Sequence, residues 1–509
     1  MKYRKLSRFF SIVTVIAAVF LASPVMAAEQ HIKIGVIGDP QNWDPMDSFR
    51  VDWSVIGTSV FEGLVERDLD MNIKPGLATS WEILNQSKTI RFHLRKGVKF
   101  HSGHAFKADS VKYTFERILA KDSKSPQKGN YSVIQEVKII NDYTVDFMLK
   151  EIDPVMIVKL AGYGGVIVPK GYIEEKGEDY FDTHPAGTGP FAMVSYKRDQ
   201  TVELVRFDEY WKKPLPKLEK VTFKIIPEAT TRVAELQTGN IDIANRIMLS
   251  QANLVKDADD LELIRVDSPT VYSVRLDTKS APTNDIRVRE AIALAIDVDM
   301  IIETVLQNNG RRINSFQSKL SFGYDESLPL RKYDPTRAKQ LLKEAGYDFD
   351  QTLTMKTTAS DADFKEVSQA IQLYLKQIGI KTKLETVEAN VYFSEMIPKG
   401  KAGHIFRQGW GGWTLDFDNT AYLLYHKGEH WNPDIDDPRV EELLTLERST
   451  MDPAIRKKAF SQLSQRLFEL IPDIPLYQNV ELWGTNKQVK GFRAPADSRI
   501  RLENVYLED

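Results

Sequence analysis

The chain has 509 residues, a formal net charge of −3 and no cysteine. That length exceeds one ordinary core and implies two or three domains. Interspersed charges with no basic patch exclude a nucleic-acid partner, and the lack of cysteine excludes thiol catalysis, Fe–S clusters and cysteine-type zinc sites.

The first 27 residues read as a secretory leader. Lys2, Arg4, Lys5 and Arg8 precede an apolar run from Phe9 to Ala22. Val25-Met26-Ala27 then offers small or compact residues for cleavage before Ala28. The run is short for a bilayer span, and no later segment is long and apolar enough to be one. Losing the leader's four positive charges takes the formal charge from −3 to −7. An exported chain without disulfides must rely on a large core. Without cysteine it has no lipoprotein anchor. The expectation is a free, soluble protein of a Gram-negative periplasm.

His31 to Ile37 alternates and predicts a strand. It runs into the turn-rich Gly38-Asp39-Pro40-Gln41-Asn42-Trp43-Asp44-Pro45. A loop after a strand suits a pocket wall, so Trp43 either lines a site or tucks into the core. Val55 to Leu64 reads as helix. From Trp81 to Leu149 the texture becomes hairpins: Ile90, Phe92 and Leu94 alternate with polar residues, as do Val145, Phe147 and Leu149. A helical stripe over Ser110 to Ala120 lies between them, giving a small α+β unit. Pro185 to Phe191 is a sharp break that lacks the Lys-Ser/Thr of a phosphate loop; it reads as a crossing between domains. Strand Val221–Ile226 and helix Thr230–Thr238 follow.

After Pro269 a third region begins. Asp285 caps a helix, and Asp334-Pro335 and Asp452-Pro453 are strong helix starts. Between them, strand Thr352–Lys356, helix Phe364–Ile378 and strand Ile380–Val387 repeat an α/β pattern. The tail from Ile474 to Leu482 looks extended. Two α/β lobes plus an α+β unit leave a cleft between lobes, where ligand sites concentrate.

One stretch concentrates residues of interest. Gly409-Trp410-Gly411-Gly412-Trp413-Thr414-Leu415-Asp416-Phe417-Asp418-Asn419 holds two of the chain's 8 tryptophans, three glycines and two aspartates. Glycines allow close backbone approach, indoles give rigid contact area, and a carboxylate among such rings can anchor a cation. The same residues would also suit a strand and turn filling a core. No H-E-x-x-H or G-x-S-x-G pattern occurs. His101 and His104 read as part of a solvated turn, and His426 and His430 as a structural or rim pair. Asp416 and Asp418 could in principle do acid–base work.

Several segments resemble, in order, the peptide/nickel class of periplasmic substrate-binding proteins of ABC importers, the oligopeptide- and dipeptide-binding family. They are Asn42-Trp43-Asp44-Pro45, Val60-Phe61-Glu62-Gly63-Leu64, Pro75 to Trp81, Ile90 to Phe100 and Phe106 to Val111. Gly187-Thr188-Gly189-Pro190-Phe191, Phe207 to Trp211 and Arg287 to Asp297 continue the series. The resemblance implies an α/β, two-lobed periplasmic-binding-protein fold with an extra α+β domain and a ligand cleft between lobes. On that basis lobe I takes residues 28–75, 188–270 and 485–509, the inserted domain 76–187, and lobe II 271–484.

The resemblance further implies capture of a peptide or amino-acid-derived solute by hinge closure, and delivery to inner-membrane ABC permease subunits. It implies a monomer with no catalytic residues, cofactor or metal. A metal chelate, haem, opine, glutathione or sugar ligand, or a hydrolase reusing the fold, are the alternatives. Gly412-Trp413-Thr414-Leu415-Asp416 resembles the family's Gly-Trp-x-x-Asp, which nominates Asp416 for the ligand's amino group, beside Trp413 and Trp410. Dipeptide binders place an arginine in the stretch matching Lys356 to Asp363, and here there is none. Arg407 could hold a carboxylate from another direction, or be a solvated charge on its strand.

Overall fold

The computed structural model describes residues 29–358 and 362–508. The leader and its cleavage point lie outside the described residues, as do residues 359–361.

One eleven-stranded sheet runs through the molecule. Its order is Lys381–Val387, Thr352–Thr358, Ile405–Gly411, Leu261–Leu276, Asp473–Asn486, Ile243–Ala244, His31–Val36, Lys220–Ile225, Thr201–Arg206 and Phe191–Lys197. Gly310–Arg312 pairs with Asp473–Asn486 beside this path. Each half contains a parallel α/β unit, and the lobe I edge is finished by the antiparallel strands Thr201–Arg206 and Phe191–Lys197. His31–Val36 runs parallel to Lys220–Ile225 and Ile243–Ala244, with helix Ala229–Gln237 as the crossover. Thr352–Thr358 runs parallel to Lys381–Val387, joined through helix Ala362–Gln377.

Two long strands belong to both lobes. Leu261–Leu276 has 16 residues and Asp473–Asn486 has 14. Leu261 to Asp267 pairs with Val480 to Asn486 in the lobe I half, and Val271 to Arg275 pairs with Asp473 to Gln478 in the lobe II half. The register slips between Asp267 and Val271 and again between Tyr272 and Ser273. Pro269 sits in the first slip, where a missing N–H costs no ladder bond and a bulge bends the strand. The sequence boundary placed at residue 270 therefore falls inside a continuous strand, because Ser268-Pro269 imitates a turn.

The inserted unit is a four-stranded antiparallel sheet in the order Ala78–Leu84, Thr89–Leu94, Thr144–Leu149, Ile134–Asn141. Helix Ala108–Leu119 packs on it through Val111, Phe115 and Ile118. Separate cores fill lobe I, around Ile32, Phe61 and Phe223, and lobe II, around Leu342, Ile371 and Ile405. The aspartate caps form: Asp285 accepts from the Arg287 N–H, Asp334 from Arg337, and Asp452 from Ala454 and Ile455. The helix expected at Val55–Leu64 instead spans Val51–Gly57. Beyond it Gly63 forms a bridge with Val166, where an added Cβ would stand 2.8 Å from the Gly165 carbonyl oxygen.

Three of the segments that carry the resemblance meet at one carboxylate. Glu62 accepts from Thr188 Oγ1 at 2.9 Å, Tyr210 Oη at 2.8 Å and Trp211 Nε1 at 2.8 Å. Gly187 and Gly189 are pressed onto the Val60 and Ser59 carbonyls, with room for no side chain. His101 is also drawn in: its Nε2 lies 2.9 Å from the Gly189 carbonyl, and burial lowers its pKa to about 4, so it is not part of a solvated turn.

Candidate functional site

Strand Ile405–Gly411 lies antiparallel to Leu261–Leu276, with Gly409 opposite Tyr272 and Gly411 opposite Thr270. Successive side chains alternate faces. Arg407, Gly409 and Gly411 share the face on which Tyr272 and Thr270 stand. A Cβ at Gly409 would be 2.7 Å from the Tyr272 ring and one at Gly411 3.3 Å from Thr270 Oγ1, so the glycines keep this wall thin.

Trp410 points the other way. Its partly buried ring meets Trp431 edge-on at 5.8 Å against the lobe II core, and it does not line the cavity described below. Trp43 is a core residue: it is fully buried in lobe I, edge-on to Tyr196 at 5.7 Å. The loop residue tucked inward because an indole buries more apolar surface there than a pocket rim would allow.

Asp416 is not an open anchor. It caps helix Phe417–Tyr425 by accepting the Asp418 N–H at 3.0 Å, and Arg456 grips both its oxygens at 2.7 and 2.8 Å. Its neighbour Asp418 is held by Arg448 at 2.5 and 3.1 Å. A third acid, Glu447, lies between them. It accepts from Arg456 at 3.0 Å, and burial, followed by the Asp418 charge, raises its pKa. Arg456 and Arg448 thus meet all three acids, and both aspartates are already paired. Breaking such a pair would leave a buried charge alone.

Trp413 reaches across to lobe I and to the inserted unit. It meets Phe49 edge-on at 5.1 Å and Tyr163 at 6.1 Å, and it covers Gly162, where a Cβ would stand 2.3 Å from its ring. Phe49 comes from the lobe I loop before helix Val51–Gly57, and Tyr163 follows helix Met156–Leu160. Arg67 Nη2 donates to the Thr414 carbonyl, and Leu415 packs on Met71 and Ala496. Leu415 takes a left-handed φ of 51° to make that turn. This loop is therefore the contact between lobes.

Arg407 is fully buried, not solvated on a strand face. It donates to the Phe364 carbonyl at 2.6 Å and to Tyr477 Oη at 3.1 Å. Its guanidinium lies 4.0 Å from the Phe364 ring centroid and 5.2 Å from that of Tyr272. It stands behind these rings rather than among groups open to a ligand.

The same three rings line a cavity of about 540 Å³ between the lobes. Ile37, Pro227 and Arg246 form its lobe I side, Tyr272, Asp363 and Phe364 its lobe II side, and Thr270, Tyr477 and Glu481 on the crossing strands its back. Arg246 follows the short strand Ile243–Ala244 with φ 47° and is exposed. Its carbonyl accepts from the buried Arg232 at 2.9 Å, and Arg232 also binds the Ile226 and Asn245 carbonyls. Glu481 is half-buried, and its Oε2 has no hydrogen-bond partner among the described residues. Burial raises its pKa, against the opposing pull of Arg246 and a Ser268 hydrogen bond. Sequence reading missed Arg246, Glu481, Tyr163 and Tyr272. None belongs to a motif, and they lie on segments far apart in the chain.

The family model for bacterial extracellular solute-binding proteins, family 5, middle part, matches residues 72–432. The glutathione-binding protein GsiB of Pectobacterium atrosepticum is 27% identical over 505 residues, covering 97% of each chain. HbpA2 from Haemophilus parasuis superposes with a TM-score of 0.84 at 25% identity, over 94% of this chain and 100% of that one. A dipeptide binding protein from Pseudoalteromonas sp. SM9913, in complex with Met-Leu, has the same fold, with a TM-score of 0.78 at 24% identity over 94% and 100% of the two chains. With the match spanning most of its length and the shared fold covering nearly all of the described residues, the chain belongs to family 5 of the bacterial extracellular solute-binding proteins.

Proposed function

We propose that this chain is the solute-capturing subunit of an ABC importer, and that its solute is a short peptide or a peptide-like amino-acid derivative. The solute sits between the lobes. The lobes close on it by bending at the two crossing strands, and the closed form is what the inner-membrane permease engages. Residues 1–27 direct export and are removed. The mature chain acts as a monomer, binds no nucleic acid, and releases its solute unchanged rather than transforming it.

The observation that carries this reading is the cavity of about 540 Å³, lined by aromatic rings of lobe II, a guanidinium of lobe I and a carboxylate of the crossing strands. Its size falls in the range of roughly 300–1,000 Å³ typical of small-molecule sites. Relatives named for glutathione and for a dipeptide support a peptide-type solute. Within this reading Trp413 is a clasp that gains contact as the lobes close, and Asp416 holds the loop that carries it.

Mass spectrometry of small molecules released from the protein on denaturation tests the proposal. The expected result is an intact peptide or peptide-like compound in near-stoichiometric amount. Sustained turnover of such a compound by the purified protein would contradict a binding role.

A further inference from the structure

The aspartate expected to receive the ligand's amino group is neutralised by Arg456, and the expected arginine is absent from the stretch before helix Ala362–Gln377. We infer that Glu481 and Arg246 form the charge pair of the cleft, Glu481 receiving the cationic amino group of a zwitterionic solute and Arg246 its carboxylate. This assignment rests on the peptide-type reading above.

The geometry points to these two groups on separate grounds. Glu481 lies on the strand Asp473–Asn486, opposite Val266 and beside the register slip that bends the two crossing strands. Glu481 lines the cavity, and its Oε2 is buried without a hydrogen-bond partner among the described residues. An unpartnered carboxylate oxygen withdrawn from water is costly, and an ammonium group supplies what it lacks.

Arg246 comes from the other lobe and lines the same cavity. No carboxylate among the described residues lies within 4 Å of its guanidinium, so its charge is open to an incoming anion. Its backbone is fixed by the buried Arg232, which grips the carbonyls on both sides of the turn. Arg232 has no such freedom: all three of its nitrogens are committed to carbonyls. A solute bridging Glu481 and Arg246 joins the hinge to lobe I beside the Tyr272 and Phe364 rings of lobe II, which couples recognition to closure.

Calorimetry on the mature protein with Met-Leu and with glutathione, each in free, N-acetylated and C-amidated form, tests the pair. For wild type, either block should weaken binding at least tenfold, a reading that needs no variant. For Glu481→Gln, N-acetylation should cost nothing further while amidation still does. For Arg246→Gln the pattern should be reversed. Wild-type binding that is indifferent to both blocks, or variants that bind the free peptide as wild type does, would overturn the charge pair and leave the peptide reading standing. Failure of both free peptides to bind wild type would overturn the peptide reading, and the pair with it.

Discussion

Asp416 meets Arg456 through two hydrogen bonds and is all but sealed from solvent. Its substitution should therefore act on stability rather than on affinity. Asp416→Asn is expected to lower the unfolding free energy by about 3–5 kcal/mol, the usual cost of leaving one member of a buried pair alone. Solute affinity measured at a temperature where the variant is folded should stay within a few-fold of wild type. A large affinity loss in a stable variant would return Asp416 to the ligand. Glu62 gives a pH signature. Burial pushes its carboxyl up to about 7, with Lys212 and the Trp211 and Tyr210 bonds pulling the other way. Between its ordinary value of 4.5 and about 7, the native state keeps a proton that the unfolded chain has released. Its stabilising contribution is thus full below 4.5 and falls as pH rises, by about 1 kcal/mol per pH unit. Urea unfolding from pH 5 to 7 should show wild type losing stability relative to Glu62→Gln by that slope; parallel profiles would refute it. At this scale the sequence was informative about caps and poor about roles. Asp-Pro announces a helix start from local chemistry alone, whereas the partner that claims Asp416 lies forty residues away on another helix, where no local pattern reaches.

The two crossing strands and the Trp413 loop are the elements on which motion depends. The strands stay paired through both lobes, yet lose register at Ser268-Pro269, so the bend is concentrated where ladder bonds are already missing. The loop is the complementary contact. Each edge-to-face ring pair adds about 0.5–1.5 kcal/mol beyond its buried area. Trp413→Ala removes the contacts with Phe49 and Tyr163, and should shift the unliganded protein toward more open lobes. Small-angle X-ray scattering is expected to give a larger radius of gyration for the variant, with the difference reduced at saturating solute. Superimposable profiles without solute would remove the loop's role as a clasp. Most of the short strands and helices were legible because hydrophobic period and caps are local. Strand Leu261–Leu276 was not, since its proline at a bulge reads as an end. Trp43 turned inward for a reason invisible in sequence: which face of a strand or loop is covered is settled only when another segment arrives.

For the whole molecule, two α/β lobes share one sheet, and an α+β unit is docked on lobe I through contacts such as Arg95 over the Trp211 ring and His101 on the Gly189 carbonyl. The two-lobed α/β architecture could be read from alternation and from the order of the family segments. The cavity could not, because its walls come from residues 37, 246, 272, 364 and 481, and only the fold brings them together. Solute bound to the native state alone should also stabilise the protein, by about 2.7 kcal/mol at one hundred times the dissociation constant. A thermal shift rising with Met-Leu or glutathione concentration checks this, and a flat response to both would count against a peptide-type solute. The central claim is that the solute occupies the cavity between the lobes, and Thr270 on the crossing strand offers a way to fill it. Native mass spectrometry of wild type beside Thr270→Trp, both incubated with Met-Leu or glutathione, tests that claim most directly. One solute per wild-type chain and none on the folded variant is the predicted result; equal loading of the two would contradict it.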